Sequence, residues 1–158
     1  MDVKLCCIDL STQKTGIAYF KNGKYKEHFL LDYSKNKDTV ARFKTMSQEI
    51  WNLLEKYKPM IVFIEDTYSG RNAQTMKILT RLQGVIYAWC MLNDGEFNTI
   101  TPSQWRKHLD FTQSKGVKRQ QLKEQSVKYI LDRYKLEVND DEADAICIGD
   151  AVLKMFSE

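Results

Sequence analysis

Met60-Ile61-Val62-Phe63-Ile64-Glu65-Asp66 decides the fold. The run is short, rich in Ile, Val and Phe, and bounded by Pro59 before it and two acids after it, as a strand buried on both faces would be. It follows a segment of a different period. Between Asp38 and Tyr57 the apolar residues Val40, Phe43, Met46, Ile50, Leu53, Leu54 and Tyr57 recur at helical spacing, and Pro59 stops that helix. A strand reached through a helical crossover runs parallel to one already laid down. Its natural neighbour is the other buried-looking run, residues 3 to 10, Val3-Lys4-Leu5-Cys6-Cys7-Ile8-Asp9-Leu10.

Working outward, residues 16 to 21 and 24 to 31 read as two further strands, joined at Asn22-Gly23, a strong two-residue hairpin signal. With the first run they make three antiparallel strands. Beyond Asp66, residues 72 to 92 are helical through Met76, Leu79, Leu82, Ile86 and Trp89, and Asn98 to Ile100 is a short strand. Thr101-Pro102-Ser103-Gln104 has the pattern of a helix start, with Thr as cap, Pro in the first turn and Gln three residues on. A loop from Asp110 to Gly116 and helices over 117–134 and 140–156 complete the chain. The order is β-β-β-α-β-α-β-α-α-α, without repeats, low-complexity segments or linkers. It predicts one α/β domain over residues 1–158, a five-stranded mixed sheet with helices on both faces.

Composition excludes more than it assigns. At 158 residues, 43% hydrophobic and 28% charged, the chain has the make-up of an ordinary globular domain. No apolar stretch is long enough to span a membrane, and the N-terminus runs into a strand pattern without a basic and apolar leader, so a cytoplasmic protein is expected. Cys6, Cys7, Cys90 and Cys147 all sit in apolar runs, form no C-x-x-C pair, and read as buried reduced thiols. His28 and His108 are isolated, which disfavours a zinc site. A metal here would be held by oxygen, favouring Mg²⁺ or Mn²⁺. The net charge of +3 says little by itself. Residues 103 to 119, however, gather Arg106, Lys107, Lys115, Lys118 and Arg119 against the single acid Asp110, a patch suited to phosphates or simply a solvated surface.

The acids carry the chemistry. One buried-looking run ends on Asp9 and the other on Glu65, and parallel neighbouring strands would bring those ends to about 5 Å. Two carboxylates so close repel, and a divalent cation relieves the repulsion. A third group, Asp140-Asp141-Glu142-Ala143-Asp144, opens the last helix. Asp141 and Asp144, three apart, share a face, and Asp144 leads into the apolar Ala145-Ile146-Cys147-Ile148-Gly149. Singly, each acid is explained as a turn or cap residue, the role read for Asp140. Together they suit phosphodiester hydrolysis by two Mg²⁺ ions about 4 Å apart, which needs several carboxylates and no histidine.

At this point the residues resemble a known family, the RuvC-type Holliday junction resolvases of the RNase H-like superfamily. The likeness covers nearly the whole chain. Ile8-Asp9-Leu10-Ser11-Thr12-Gln13-Lys14-Thr15-Gly16 is similar to the family's opening strand and turn, and Ile64-Glu65-Asp66-Thr67-Tyr68 to its second acidic motif. Asn72-Ala73 and Leu79 to Ala88 with Gly84 match the following helix, and Asp141-Glu142-Ala143-Asp144-Ala145 the final D-x-x-D-A motif. The resemblance implies an RNase H-like fold, and Asp9, Glu65, Asp141 and Asp144 as catalytic metal ligands for two Mg²⁺, with Mn²⁺ substituting. It implies a homodimer that resolves four-way junctions and other branched DNA by paired nicks. It marks Tyr68 as the match to an aromatic that meets bases at the junction centre, although an ordinary half-buried loop aromatic is an equal reading. Tyr68, Arg71, Arg106, Lys107, Lys115, Lys118 and Arg119 form the expected DNA-binding set. Leu10-Ser11 replaces the bacterial Pro-Gly, and residues 102 to 116 diverge, features that resemble a phage-encoded member. Three other readings stay open: an RNase H-like nuclease acting on structured RNA, an actin-like phosphate-binding ATPase fragment, and a DNA-binding module with a vestigial site.

Overall fold

A computed structural model describes residues 1–66 and 72–158. Tyr68 and Arg71 lie outside the described residues. The elements run β1 (Lys4–Asp9), β2 (Lys14–Lys21), β3 (Lys24–Asp32), α1 (Thr39–Tyr57), β4 (Ile61–Glu65), α2 (Ala73–Leu92), β5 (Glu96–Ile100), α3 (Pro102–His108), α4 (Arg119–Tyr134) and α5 (Asp140–Ser157). The order of types is the one read from the sequence. The edges differ: β2 and β5 each begin two residues earlier, because sheet pairing extends them past their apolar centres, and α4 begins two residues later.

The five strands form one mixed sheet in the order β3-β2-β1-β4-β5. β1, β2 and β3 are antiparallel through the turn at Asn22-Gly23. β4 joins β1 in parallel, with Cys7 opposite Phe63 and Ile8 opposite Ile64, so the next residues along, Asp9 and Glu65, emerge side by side. β5 adds in parallel to β4.

Strand side chains alternate between faces, and this separates two cores. Cys6, Ile8, Ile17, Tyr19, Val62 and Ile64 pack with Met46, Ile50 and Leu54 of α1 and Leu82, Ile86 and Trp89 of α2. Leu5, Cys7, Ala18, Phe20 and Phe63 pack on the opposite face with Trp105 of α3, Ile130 of α4 and the Ala145-Ile146-Cys147-Ile148 stretch of α5. Asp9 and Glu65 continue the second series and point to the α3/α4/α5 side. All four cysteines are free and buried, as expected. Among the described residues no helix is long and apolar enough to cross a membrane.

Helix α5 lies unusually close to the sheet. A Cβ on Gly149 would fall 1.9 Å from the Phe20 ring, and one on Gly16 would fall 2.2 Å from the Asp141 carbonyl oxygen. Asn139, rather than Asp140, caps this helix. Its side chain accepts from the Glu142 backbone N–H at 2.9 Å while Glu142 returns to the Asn139 N–H. Asp140 already sits within the first turn and pairs with Lys123 of α4 at 3.0 Å. The short Asn side chain reaches the exposed first-turn N–H, so Asp140 is free to make a contact between helices.

Candidate active site

The turn after Asp9 is closed by hydroxyls. The Thr15 hydroxyl, fully buried, donates to the Ser11 carbonyl at 2.6 Å and accepts from the Ser11 N–H at 3.2 Å. Ser11 Oγ in turn accepts from the Gln13 N–H at 3.1 Å. Leu10-Ser11 thus makes a side-chain-locked turn, and this fixes how β1 delivers Asp9.

Glu65 is held from another element. The Trp105 indole N–H donates to Glu65 Oε2 at 2.7 Å. Trp105 is fully buried on α3, edge-on to Phe111, with the Arg106 guanidinium 5.0 Å from its ring centre. Sequence reasoning missed Trp105. The signal was there, since a buried indole N–H needs an acceptor, but the acceptor lies 40 residues back in the chain.

Helix α5 brings the other two acids. Gly16 pairs with Asp9 across the β1–β2 ladder and also touches the Asp141 backbone, so one position ties the first strand to the first turn of the last helix. Around the Asp9 carboxyl this enclosure raises the pKa well above the ordinary range, first by burial and then by the charges of Glu65, Asp144 and Asp141. Burial and the Glu65 charge push the Asp144 carboxyl up to about 7, against the opposing pull of the Ser126 hydroxyl and the Arg106 guanidinium. Asp144 Oδ1 is buried without a hydrogen-bond partner among the described residues. Asp141 is raised less, by burial and Asp140, because Lys123 and Lys14 oppose them.

The four predicted acids therefore meet at one end of the sheet, where the parallel strands β1 and β4 finish, the usual ligand-binding edge of parallel strands. They repel one another, yet among the described residues no trio of His, Cys, Asp and Glu is already drawn tightly enough to enclose an ion. Of the predicted basic residues, Arg106 lies beside Asp144 and partly buried, with its Nε unpartnered among the described residues. Lys107 on α3, Lys115 in the following loop, and Lys118 and Arg119 at the start of α4 are exposed, and none is in an ion pair among the described residues.

Asp150, also on α5, is a different kind of acid. It is 6% exposed and takes hydrogen bonds from Tyr129 at 3.0 Å and Tyr134 at 2.5 Å, with the Arg133 guanidinium at 2.8 Å. Its partners among the described residues all belong to α4, so it fastens α4 to α5.

The comparisons agree with this geometry. Residues 6–152 match the family described as crossover junction endodeoxyribonuclease RuvC. The proteins of that name from Fusobacterium nucleatum subsp. nucleatum and Caldicellulosiruptor saccharolyticus are 29% and 26% identical to the chain. These alignments cover 84% of this chain and 70% of the first relative, and 85% and 81% for the second. Among solved structures, T. thermophilus RuvC in complex with a Holliday junction substrate superposes with a TM-score of 0.75 at 12% identity, covering 98% of this chain and 96% of that one. Fowlpox virus resolvase, in complex with Holliday junction DNA, gives 0.62 at 16%, covering 99% and 100%. At such identities the structures speak to the fold, which is the RNase H-like arrangement of a five-stranded mixed sheet flanked by helices. The match over nearly the full chain settles the family: this protein belongs to the RuvC crossover junction endodeoxyribonucleases.

Proposed function

We propose that this protein is a divalent-metal-dependent endonuclease that resolves four-way DNA junctions and related branched DNA. One observation within the molecule carries the reading. The parallel register of β1 and β4 delivers Asp9 and Glu65 side by side, and α5 adds Asp144 and Asp141 to the same repelling group. Buried acids without enough counter-charge are costly, so the donor set fits a hard cation with oxygen ligands. Asp144 Oδ1, unpartnered among the described residues, points the same way.

Asp9, Glu65, Asp141 and Asp144 would hold two Mg²⁺, with Mn²⁺ able to replace them. When bound, such ions relieve charge on the phosphodiester and lower the pKa of water. The chain's own residues do the rest. Trp105 holds one Glu65 oxygen and so orients the other. The first two turns of α5 set the Asp141 and Asp144 carboxylates against the strand ends. Arg106 offsets part of the acidic charge, and the exposed Lys107, Lys115, Lys118 and Arg119 neutralise flanking phosphates. Tyr68 and Arg71 remain in the DNA-binding set as expectations from the sequence. A homodimer with one site per cut strand suits paired nicking, and the exposed Tyr87, Met91 and Leu92 of α2 offer it an apolar surface.

The test is a panel of four-way, three-way, flap and duplex DNAs, with structured RNA, incubated with Mg²⁺ or Mn²⁺. Cleavage centred on the branched DNAs is expected, and Asp9→Asn should abolish it while leaving junction binding intact. Full cleavage by Asp9→Asn would sink the site assignment, and preference for RNA would move the protein to a different substrate class. Analytical ultracentrifugation checks the dimer.

A further inference from the structure

On the α1/α2 side of the sheet a cleft of about 460 Å³ opens between the turn after β1, the start of α1 and the first turn of α2. Its walls include Thr12, Gln13, Arg42, Asn72, Gln74 and Thr75, and no acidic side chain among the described residues lines it. Arg42 is the notable member. It is only 8% exposed, its Nη1 donates to the Asn36 carbonyl at 2.9 Å, and its Nε is buried with no hydrogen-bond partner among the described residues. Nor does it lie in an ion pair with any described carboxylate; the nearby Asp38 side chain is occupied capping α1 through the Val40 and Ala41 N–H groups. A buried guanidinium with an unused donor and no counter-charge is costly unless an anion completes it. The cleft wall supplies suitable company. In the first turn of α2 the Thr75 N–H is capped by Asn72 Oδ1 at 2.8 Å, which leaves the Ala73 and Gln74 N–H groups without a partner in the helix; its dipole favours negative charge, and hydroxyl and amide groups surround them.

We infer that this cleft is a phosphate-binding subsite centred on Arg42, and, resting on the nuclease reading above, that its occupant is a backbone phosphate of the strand being cut, away from the scissile bond. The turn Ser11-Thr12-Gln13 that lines the cleft begins two residues after Asp9. A strand crossing the end of the sheet therefore meets the carboxylates on the α5 side and Arg42 on the other. The planar fork of an arginine suits a phosphate's paired oxygens, and its rigid burial would fix the strand's register over the acids.

Two substitutions test this. Arg42→Gln removes the charge, and Gln74→Glu places a carboxylate in the cleft at an exposed first-turn position where an acid favours the helix. Four-way junction DNA and a duplex of the same sequence are titrated in chelator across a salt series. Inorganic phosphate is titrated while the Arg42 Nε–H resonance is followed by NMR. Both variants should bind DNA about tenfold more weakly, with the slope of log affinity on log salt reduced by about one. Phosphate should shift the wild-type Arg42 resonance saturably. The subsite is overturned if both variants keep wild-type affinity and slope and phosphate leaves that resonance unmoved. A saturable shift from phosphate in a protein that neither binds nor cuts junctions would uphold the anion site and remove DNA as its source. That same overturning result in a protein that cuts junctions normally would sink the cleft and spare the nuclease.

Discussion

Gly16 and the carbonyl of Asp141 are so close that a Cβ on the first would lie 2.2 Å from the oxygen of the second. This contact decides how far the acids of α5 stand from Asp9, since Gly16 is also the ladder partner of Asp9. Gly16→Ala should lift the first turn of α5 from the sheet, cost about 1–3 kcal/mol of stability through overpacking, and remove cleavage. Thermal unfolding and junction cleavage measured together check it; a variant with wild-type activity would show that the helix can shift without harm to the site.

Trp105 gives a gentler test. Trp105→Phe keeps an aromatic ring beside Phe111 but takes one hydrogen-bond donor from Glu65. Loss of a group that orients a metal-binding carboxylate typically costs about 10- to 100-fold in metal affinity or activity. The expected result is cleavage reduced within that range, a higher metal requirement and unchanged junction binding. An unchanged metal dependence would make the Trp105 contact merely structural.

The pH dependence of stability has a defined sign. The Asp144 carboxyl titrates at about 7 in the folded chain against 3.8 ordinarily, so the folded chain keeps a proton that the unfolded chain releases. The stability this gives is fully present below about pH 3.8 and lost as pH rises to about 7. Asp9 and Asp141 are raised too and act in the same direction. In chelator, wild-type melting temperature should fall from pH 5 to pH 8. Asp144→Asn should show a shallower fall and stand about 3 °C or more above wild type at pH 8. Calorimetry across that range checks it, and a steeper fall in the variant would contradict the assignment.

Asp150 separates structure from chemistry on the same helix. Asp150→Ala leaves the half-buried Tyr129 and Tyr134 hydroxyls without their acceptor and should destabilise the fold by about 1–3 kcal/mol. Cleavage per folded molecule, measured well below the melting temperature, should hold. Loss of cleavage in fully folded protein would bring Asp150 into the site.

Much of this was legible in the chain before its coordinates. The helical crossover ahead of Ile61 predicted the parallel pairing of β1 and β4, and the acids ending both runs followed from it. What stayed hidden depends on contacts between distant segments. Nothing local to Trp105 names Glu65 as its acceptor, and nothing beside Gly16 announces the backbone of Asp141. Nothing in the sequence marks Arg42 either, since burial of a guanidinium is visible only once the chain has folded. Asp140 was misread because either of two adjacent residues, Asn139 or Asp140, can cap a helix, and the backbone chooses.

The acids of β1 and α5 stand at opposite ends of the sequence, and only the docking of the last helix unites them. Such distant pairing is slow to form and comes late. A ribosome-bound chain released as far as β5 would carry Asp9 and Glu65 on their strands without the partners that α5 brings. On the proposed site, an unfinished copy therefore lacks two of its four acids until the final helix docks.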